Sequence, residues 1–201
     1  MRSSLRSSKG TLPLKPSLDF YLDSIDDQVS KLPRGTEYSI LAHSIGGWVS
    51  RGYLTNAPPS VSGCCKALVT LGTPNKAPPS GSLAAKLDQT RGLLNDVNSK
   101  PNIAGTKYVS VVSNKVKGGW KSLDSLLALS SYFALSGTGT SSGDGITDSA
   151  SGTMMGDDAE TITCDAVHMN FLPSPAPFPN PRILGARWYG DFVDDWLSAL
   201  K

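Results

Sequence analysis

No run of about 18 apolar residues occurs in this 201-residue sequence, so no segment has the length of a membrane-spanning helix. An excess of one charge sign is missing too. The 19 basic and 17 acidic residues are interspersed for a net charge of +2, which makes no case for nucleic acid and leaves no acidic tail. Cysteine is scarce: Cys64, Cys65 and Cys164, two of them adjacent, make a poor disulfide framework and point to a reducing compartment. Histidine is scarcer still. Only His43 and His168 are present, so any chemistry that needs an imidazole has two candidates. Of the composition, 39% is hydrophobic, enough at this length for the core of one domain.

What is present centres on Tyr38 to Leu54, YSILAHSIGGWVSRGYL. Tyr38-Ser39-Ile40-Leu41-Ala42 is mostly apolar and short enough for a buried parallel strand. His43-Ser44-Ile45-Gly46-Gly47 turns sharply, and Trp48, Val49 and Tyr53 follow at helical spacing. A strand that stops, shows one serine at its tip and restarts as a helix is a nucleophile elbow. The turn strains the serine backbone, so positions two before and two after it, Ala42 and Gly46, are expected to be small. The helix starting at Ile45 aims its free N–H groups at Ser44, which favours a negative oxygen there, with the N–H of Ile45 as one oxyanion donor.

Along the rest of the chain, Leu18, Tyr21, Leu22, Ile25, Val29 and Leu32 repeat at helical steps after a possible Ser17 cap, with Asp19, Asp23, Asp26 and Asp27 as a solvated face. Residues 56–63 form a Pro/Ser loop, and Ala67–Leu71 a second buried strand closed by Gly72-Thr73-Pro74-Asn75. Residues 79–105 carry Leu83, Leu87, Leu94 and Val97 at helical spacing, either as a cap over the site or as a plain crossover. Lys107–Ser113 is a third strand. Residues 122–135 are apolar almost all round and are expected to be buried or to lie under a lid, a lipid-facing surface being the lesser alternative. Gly137–Gly145 is a flexible loop without the third glycine of a dinucleotide fingerprint, and 144–148 lacks the ligand pattern of a calcium loop. Glu160–Asp165 is the fourth strand, Leu172–Pro181 an extended proline-rich run, and Phe192, Val193, Trp196, Leu197 and Leu200 one face of a closing helix. Alternating helices and short apolar strands predict a mainly parallel sheet of about four strands flanked by helices.

A serine elbow needs a base and an acid on later loops. His43 adjoins Ser44, so its side chain should point elsewhere; His168, just past the last strand, is the general base. The acid that orients it is Asp144, in a Gly-Asp-Gly context, with Asp148 and Asp157 as alternatives.

Leu41-Ala42-His43-Ser44-Ile45-Gly46-Gly47 with Arg51-Gly52-Tyr53-Leu54, and Leu71-Gly72-Thr73-Pro74-Asn75 with Pro78-Pro79, resemble the lipase/esterase branch of the α/β-hydrolases that includes GPI inositol-deacylase-like proteins. Gly143-Asp144-Gly145-Ile146, Asp165-Ala166-Val167-His168 and Arg187-Trp188-Tyr189-Gly190 with Trp196 resemble a plant and algal, often plastid, subgroup. The resemblance implies a partial α/β-hydrolase fold over 15–201, with Ser44 as nucleophile, Asp144 as acid, His168 as base, and neither metal nor cofactor. Ala42 departs from the family's Gly. Thr147-Asp148 stands where Val-Pro is usual, which keeps Asp148 in play, and the turn before His168 is one residue short. One helix precedes the elbow strand where the family has four strands, so the chain is expected to be an incomplete form of a longer hydrolase, with the elbow strand at a sheet edge and the second oxyanion donor missing.

The function expected is hydrolysis of carboxylic esters, with an ester or lipid as substrate and peripheral membrane contact as an option. The alternative is a catalytically impaired or truncated homologue serving as a binding or scaffold domain. A third, weaker reading has the 137–145 loop bind phosphate in a non-hydrolytic protein. Residues 1–14 are a disordered or targeting-like start: MRSSLRSSK is rich in Arg and Ser and lacks acids, which with the subgroup resemblance points to a plastid, or otherwise to the cytoplasm.

Overall fold

The computed structural model describes residues 19–80, 85, 91–154, 156, 158–168, 188 and 193–201. The elements are α1 (Asp19–Ser30), β1 (Tyr38–His43), α2 (Gly46–Asn56), α3 (Pro59–Ser62), β2 (Cys65–Leu71), α4 (Arg91–Asn98), β3 (Lys107–Ser113), β4 (Val116–Lys117), α5 (Leu123–Ser136), β5 (Ser142–Gly143), α6 (Ser149–Gly152), β6 (Ala159–Cys164), α7 (Val193–Leu197) and a closing 3₁₀ turn (Ser198–Leu200). The targeting-like start, Ser17, Leu18, Leu83, Leu87, Asp157, the proline-rich run and Phe192 lie outside the described residues.

β1, β2, β3 and β6 form one parallel sheet in that spatial order, which is the arrangement of a partial α/β-hydrolase fold. Among the described residues β1 stands at one end of it. Ile40 pairs with Leu68, Val69 with Val109 and Val111 with Ile162, so the apolar runs lie side by side. Both faces of the central strands are covered, which is why these strands read as continuous rather than alternating hydrophobic runs. Val69, Leu71, Val109 and Val111 pack against Trp188, Trp196 and Ala199 on one face. Ala42, Leu68 and Tyr108 pack against Tyr53 and Leu54 on the other, with Leu22, Ile25 and Val29 of α1 closing that side. Each such fully buried side chain contributes about 1.5–3 kcal/mol, so this two-sided core outweighs exposed ion pairs such as Lys107–Glu160.

The described part of the 79–105 stretch is α4, a connection between β2 and β3 whose Leu94 packs on Trp48 and Val49. A polar chain fixes it. Arg51 Nη1 donates to Asn98 Oδ1 at 2.8 Å, Asn98 Nδ2 to the Asn75 carbonyl at 2.9 Å, and Asn75 Nδ2 to the Gly152 carbonyl at 2.7 Å. Arg51 is buried, and this polar partner offsets part of the cost of taking its guanidinium out of water.

Several sequence expectations are corrected. The 56–63 loop contains the one-turn α3, started by Pro59 at its first position. The second strand begins at Cys65 and the fourth ends at Cys164. The 137–145 loop is not simply flexible: β5 pairs antiparallel with β4, a two-residue ribbon too short to leave a period in the sequence. Its glycines are used in packing, since a Cβ on Gly139 would lie 2.8 Å from the Leu129 carbonyl and one on Gly143 2.8 Å from Tyr132 Oη, so the loop is not an open phosphate cradle. α5 is neither buried all round nor lidded among the described residues: Leu123, Leu126, Leu127 and Phe133 are exposed.

Candidate active site

The site sits at the carboxyl ends of the parallel strands, where the ladder continues into the loops. Ser44 N donates to the Leu71 carbonyl and Gly72 N to the Val111 carbonyl, both at 3.0 Å. Ser44 is the non-glycine residue with a left-handed backbone, φ 54°, among those described. Such a conformation costs of order 1–3 kcal/mol and persists only where surrounding structure enforces it. The enforcing contacts are the bond to Leu71 and that of Gly47 N to the Ser44 carbonyl at 3.2 Å. The steric requirement falls elsewhere than expected. A Cβ on Gly46 would meet Ala42 Cβ at 3.9 Å, an ordinary contact, whereas one on Gly47 would sit 2.6 Å from Thr73 Cγ2 and 2.8 Å from Thr70 Cγ2. The glycine that lets α2 close onto the end of β2 is therefore Gly47.

His168 follows β6. Its Nε2 lies 3.1 Å from Ser44 Oγ and its Nδ1 2.6 Å from Asp144 Oδ2. Ser44 and His168 are 124 positions apart, and Asp144 and His168 24. The contact is enclosed: Asp144 is 1% and His168 3% exposed. Asp144 Oδ1 accepts the N–H groups of Ile146 at 2.9 Å and Thr147 at 2.7 Å. The carboxylate is thus an acceptor at Oδ1, and the same role at Oδ2 places the proton on Nδ1 and leaves Nε2 to accept from the Ser44 hydroxyl. His168 N also donates to the Asp144 carbonyl at 3.0 Å, so the two residues are joined through backbone as well as side chain.

The acid loop is held from three directions. Tyr132 Oη of α5 accepts from Gly145 N at 2.8 Å and donates to the Val116 carbonyl at 2.9 Å. Thr147 Oγ1 donates to the Gly72 carbonyl at 2.9 Å, and Ser131 Oγ to the Ile146 carbonyl at 2.7 Å. Burial pushes the Tyr132 phenol above its ordinary range, so it remains a neutral donor and acceptor.

The other candidates fall differently. Asp148, the alternative acid, turns to Ser151 and not to His168: it caps α6, accepting from Ser151 N at 2.9 Å and Ser151 Oγ at 2.6 Å. Asp157 is outside the described residues. Ile45 stands at the N-cap of α2 without a side-chain cap, so its N–H belongs to the donors a helix start leaves open. His43 does not point away from the site as its place in the sequence implied: its ring centroid lies 4.5 Å from that of His168. Burial first, then the neighbouring His168, push the His43 imidazole down to about 4.

Two contributors escaped the sequence reading. Gly72 adopts φ 56°, and a Cβ there would run into Asp144 Oδ2 while lying 3.1 Å from His168 Nδ1 and 3.2 Å from Trp188 Cζ2. Its signal was a glycine directly after a buried strand, which reads equally as a turn. Tyr132 sat in an apolar helix where nothing marked its hydroxyl. Among the described residues no three His, Cys, Asp or Glu side chains gather as metal ligands, and no helix is long and apolar enough to cross a membrane.

No family model and no curated protein matches the sequence. Among solved structures, the fold is similar to that of a metagenomic carboxyl esterase, with a TM-score of 0.54 and 16% identity over 78% of this chain. The chain spans about half of that esterase, 53% of its length. At this identity the likeness is one of fold.

Proposed function

We propose that the protein is a serine hydrolase of carboxylic esters. Ser44 Oγ attacks the ester carbonyl while its proton passes to Nε2 of His168. Asp144 holds the Nδ1 proton and stabilises the imidazolium that forms. The N–H of Ile45 donates to the tetrahedral oxyanion. Collapse of that intermediate expels the alcohol with the proton from His168, leaving an acyl group on Ser44. Water, activated by the same imidazole, then releases the acid and restores the hydroxyl. A second oxyanion donor has no assigned residue among those described; lack of one such donor would cost about 2.7–4 kcal/mol of transition-state stabilisation.

The observation that carries this reading is the unbroken Ser44–His168–Asp144 hydrogen-bonded chain ending at a strained serine. The apolar α5 beside the acid loop favours esters with an acyl chain. The narrower kinship with GPI inositol-deacylase-like and plastid lipases rests on the sequence motifs around Ser44, Asp144 and His168.

A fluorophosphonate probe tests the assignment. Wild-type protein should be labelled, Ser44→Ala should not, and hydrolysis of p-nitrophenyl acyl esters should disappear with the label. A folded wild type that takes no label and turns over no ester would leave a binding or scaffold domain as the better account.

A further inference from the structure

α5 has two apolar faces. Ala128 and Tyr132 are buried, and this inward face is tied to the acid loop and to Val116. Leu126 and Leu127 follow Leu123 by three and four residues and Phe133 follows Leu126 by seven, two helical turns, which places them along one stripe, and all four are exposed, Leu123 by 70%. Trp120, 80% exposed, lies two residues before the Ser122 cap. The connection that presents it is held: Gly118 N donates to the Ser141 carbonyl and Gly119 N to the Ser125 carbonyl, each at 2.9 Å. In the segment that leads into this helix Lys115, Lys117 and Lys121 are exposed, and Asp124 is the one acid between residues 114 and 143. Ile146, whose carbonyl receives Ser131 Oγ, and Ile45, next to Ser44, are exposed on the loops that carry the acid and the nucleophile.

We propose that the outward stripe of α5, with Trp120 and the three lysines, docks on a lipid surface that carries anionic headgroups. Large apolar side chains on one face of a helix, a tryptophan at its end and lysines without matching acids fit the boundary between acyl chains and charged headgroups. The charge pattern selects against a second copy of this chain, because an isologous contact would set three lysines against the same three. Docking concerns this surface alone. Its use, bringing the Ser44 rim to acyl esters held in the lipid, rests on the esterase reading above.

The test uses the full-length protein with vesicles of phosphatidylcholine alone and of phosphatidylcholine mixed with phosphatidylglycerol. Of the four tryptophans, Trp48, Trp188 and Trp196 are buried, so a change in emission reports Trp120. The mixed vesicles should shift emission to shorter wavelength and co-sediment the protein, and added salt should release it. Each of Lys117→Glu and Lys121→Glu should weaken partition about fivefold or more, since removing one lysine corresponds to ~1 kcal/mol. Trp120→Ser should abolish the shift and the co-sedimentation while leaving hydrolysis of a water-soluble short-chain ester unchanged. The proposal is overturned by equal partition to both vesicle types, by full partition of Trp120→Ser, or by salt-insensitive self-association through this face without vesicle binding. Vesicle binding without ester turnover would overturn the esterase reading and leave the docking surface standing.

Discussion

The imidazole of His43 packs against that of His168, with ring centroids 4.5 Å apart and planes inclined by 55°. The residue before Ser44 therefore supports the imidazole that faces the Ser44 hydroxyl. A neutral His43 lets His168 become imidazolium without a like charge beside it. That requires His43 to stay unprotonated through the working pH range, which burial and the neighbouring ring secure.

This depression links stability to pH. The folded His43 protonates near 4 and the unfolded one near 6.5. Between those values the unfolded chain binds the proton that the folded chain refuses, so stability falls as pH drops through the window and gains nothing further above it. His43→Phe keeps a ring against His168 and removes the proton. The fall in urea midpoint from neutral pH to pH 4 should be smaller in this variant than in wild type, the carboxylates contributing alike to both. Identical slopes would show that His43 does not carry the effect.

Gly72→Ala should separate folding from activity. The new methyl group would press on the Asp144–His168 contact from a backbone angle that alanine resists. Far-UV circular dichroism should be retained, with Tm lowered by a few degrees, while kcat falls about 10²-fold, the cost of misplacing reacting groups by about 1 Å. Unchanged kcat would mean that the dyad tolerates displacement at this point.

The two neighbouring aspartates should fail in different ways. Asp144→Asn keeps the shape but misdirects the imidazole tautomer, so kcat should drop by about 10⁴. Asp148→Ala removes the cap of α6 and should cost about 1–2 kcal/mol in denaturant unfolding with kcat near that of wild type. The reverse ranking would move the acid to Asp148.

Tyr132→Phe deletes one oxygen and leaves Gly145 N and the Val116 carbonyl without the partner each has now. Stranding a fully buried backbone group costs about 1–3 kcal/mol; these two are partly buried, so a loss toward the lower end should register in thermal unfolding. Faster hydrogen exchange at Gly145 and Thr147 should accompany it. Exchange unaltered from wild type would show that Tyr132 does not hold the acid loop.

Local chemistry made much of this legible in the sequence. Short strands alternating with helices signalled the parallel sheet, most clearly in the apolar runs of β2 and β3, because strands covered on both faces are hydrophobic nearly throughout. The run from Tyr38 through Tyr53 revealed a strand-to-helix turn around Ser44, because a short apolar strand, a serine followed by two glycines and a helical repeat succeed one another there. With two histidines present, the one after the last strand was the evident partner for that serine.

The Gly-Asp-Gly context favoured Asp144 without disposing of Asp148 four residues on; only the tertiary structure showed that the Asp144 carboxylate reaches His168 while that of Asp148 turns to Ser151. It alone showed that Gly47, not Gly46, carries the steric demand, that Gly72 makes room for Asp144 and His168, that His43 faces the site, and that α5 turns three of its five leucines outward. These outcomes depend on segments tens of residues apart meeting at one rim. A sequence records which side chains are available, whereas distance across a folded core decides which of them touch.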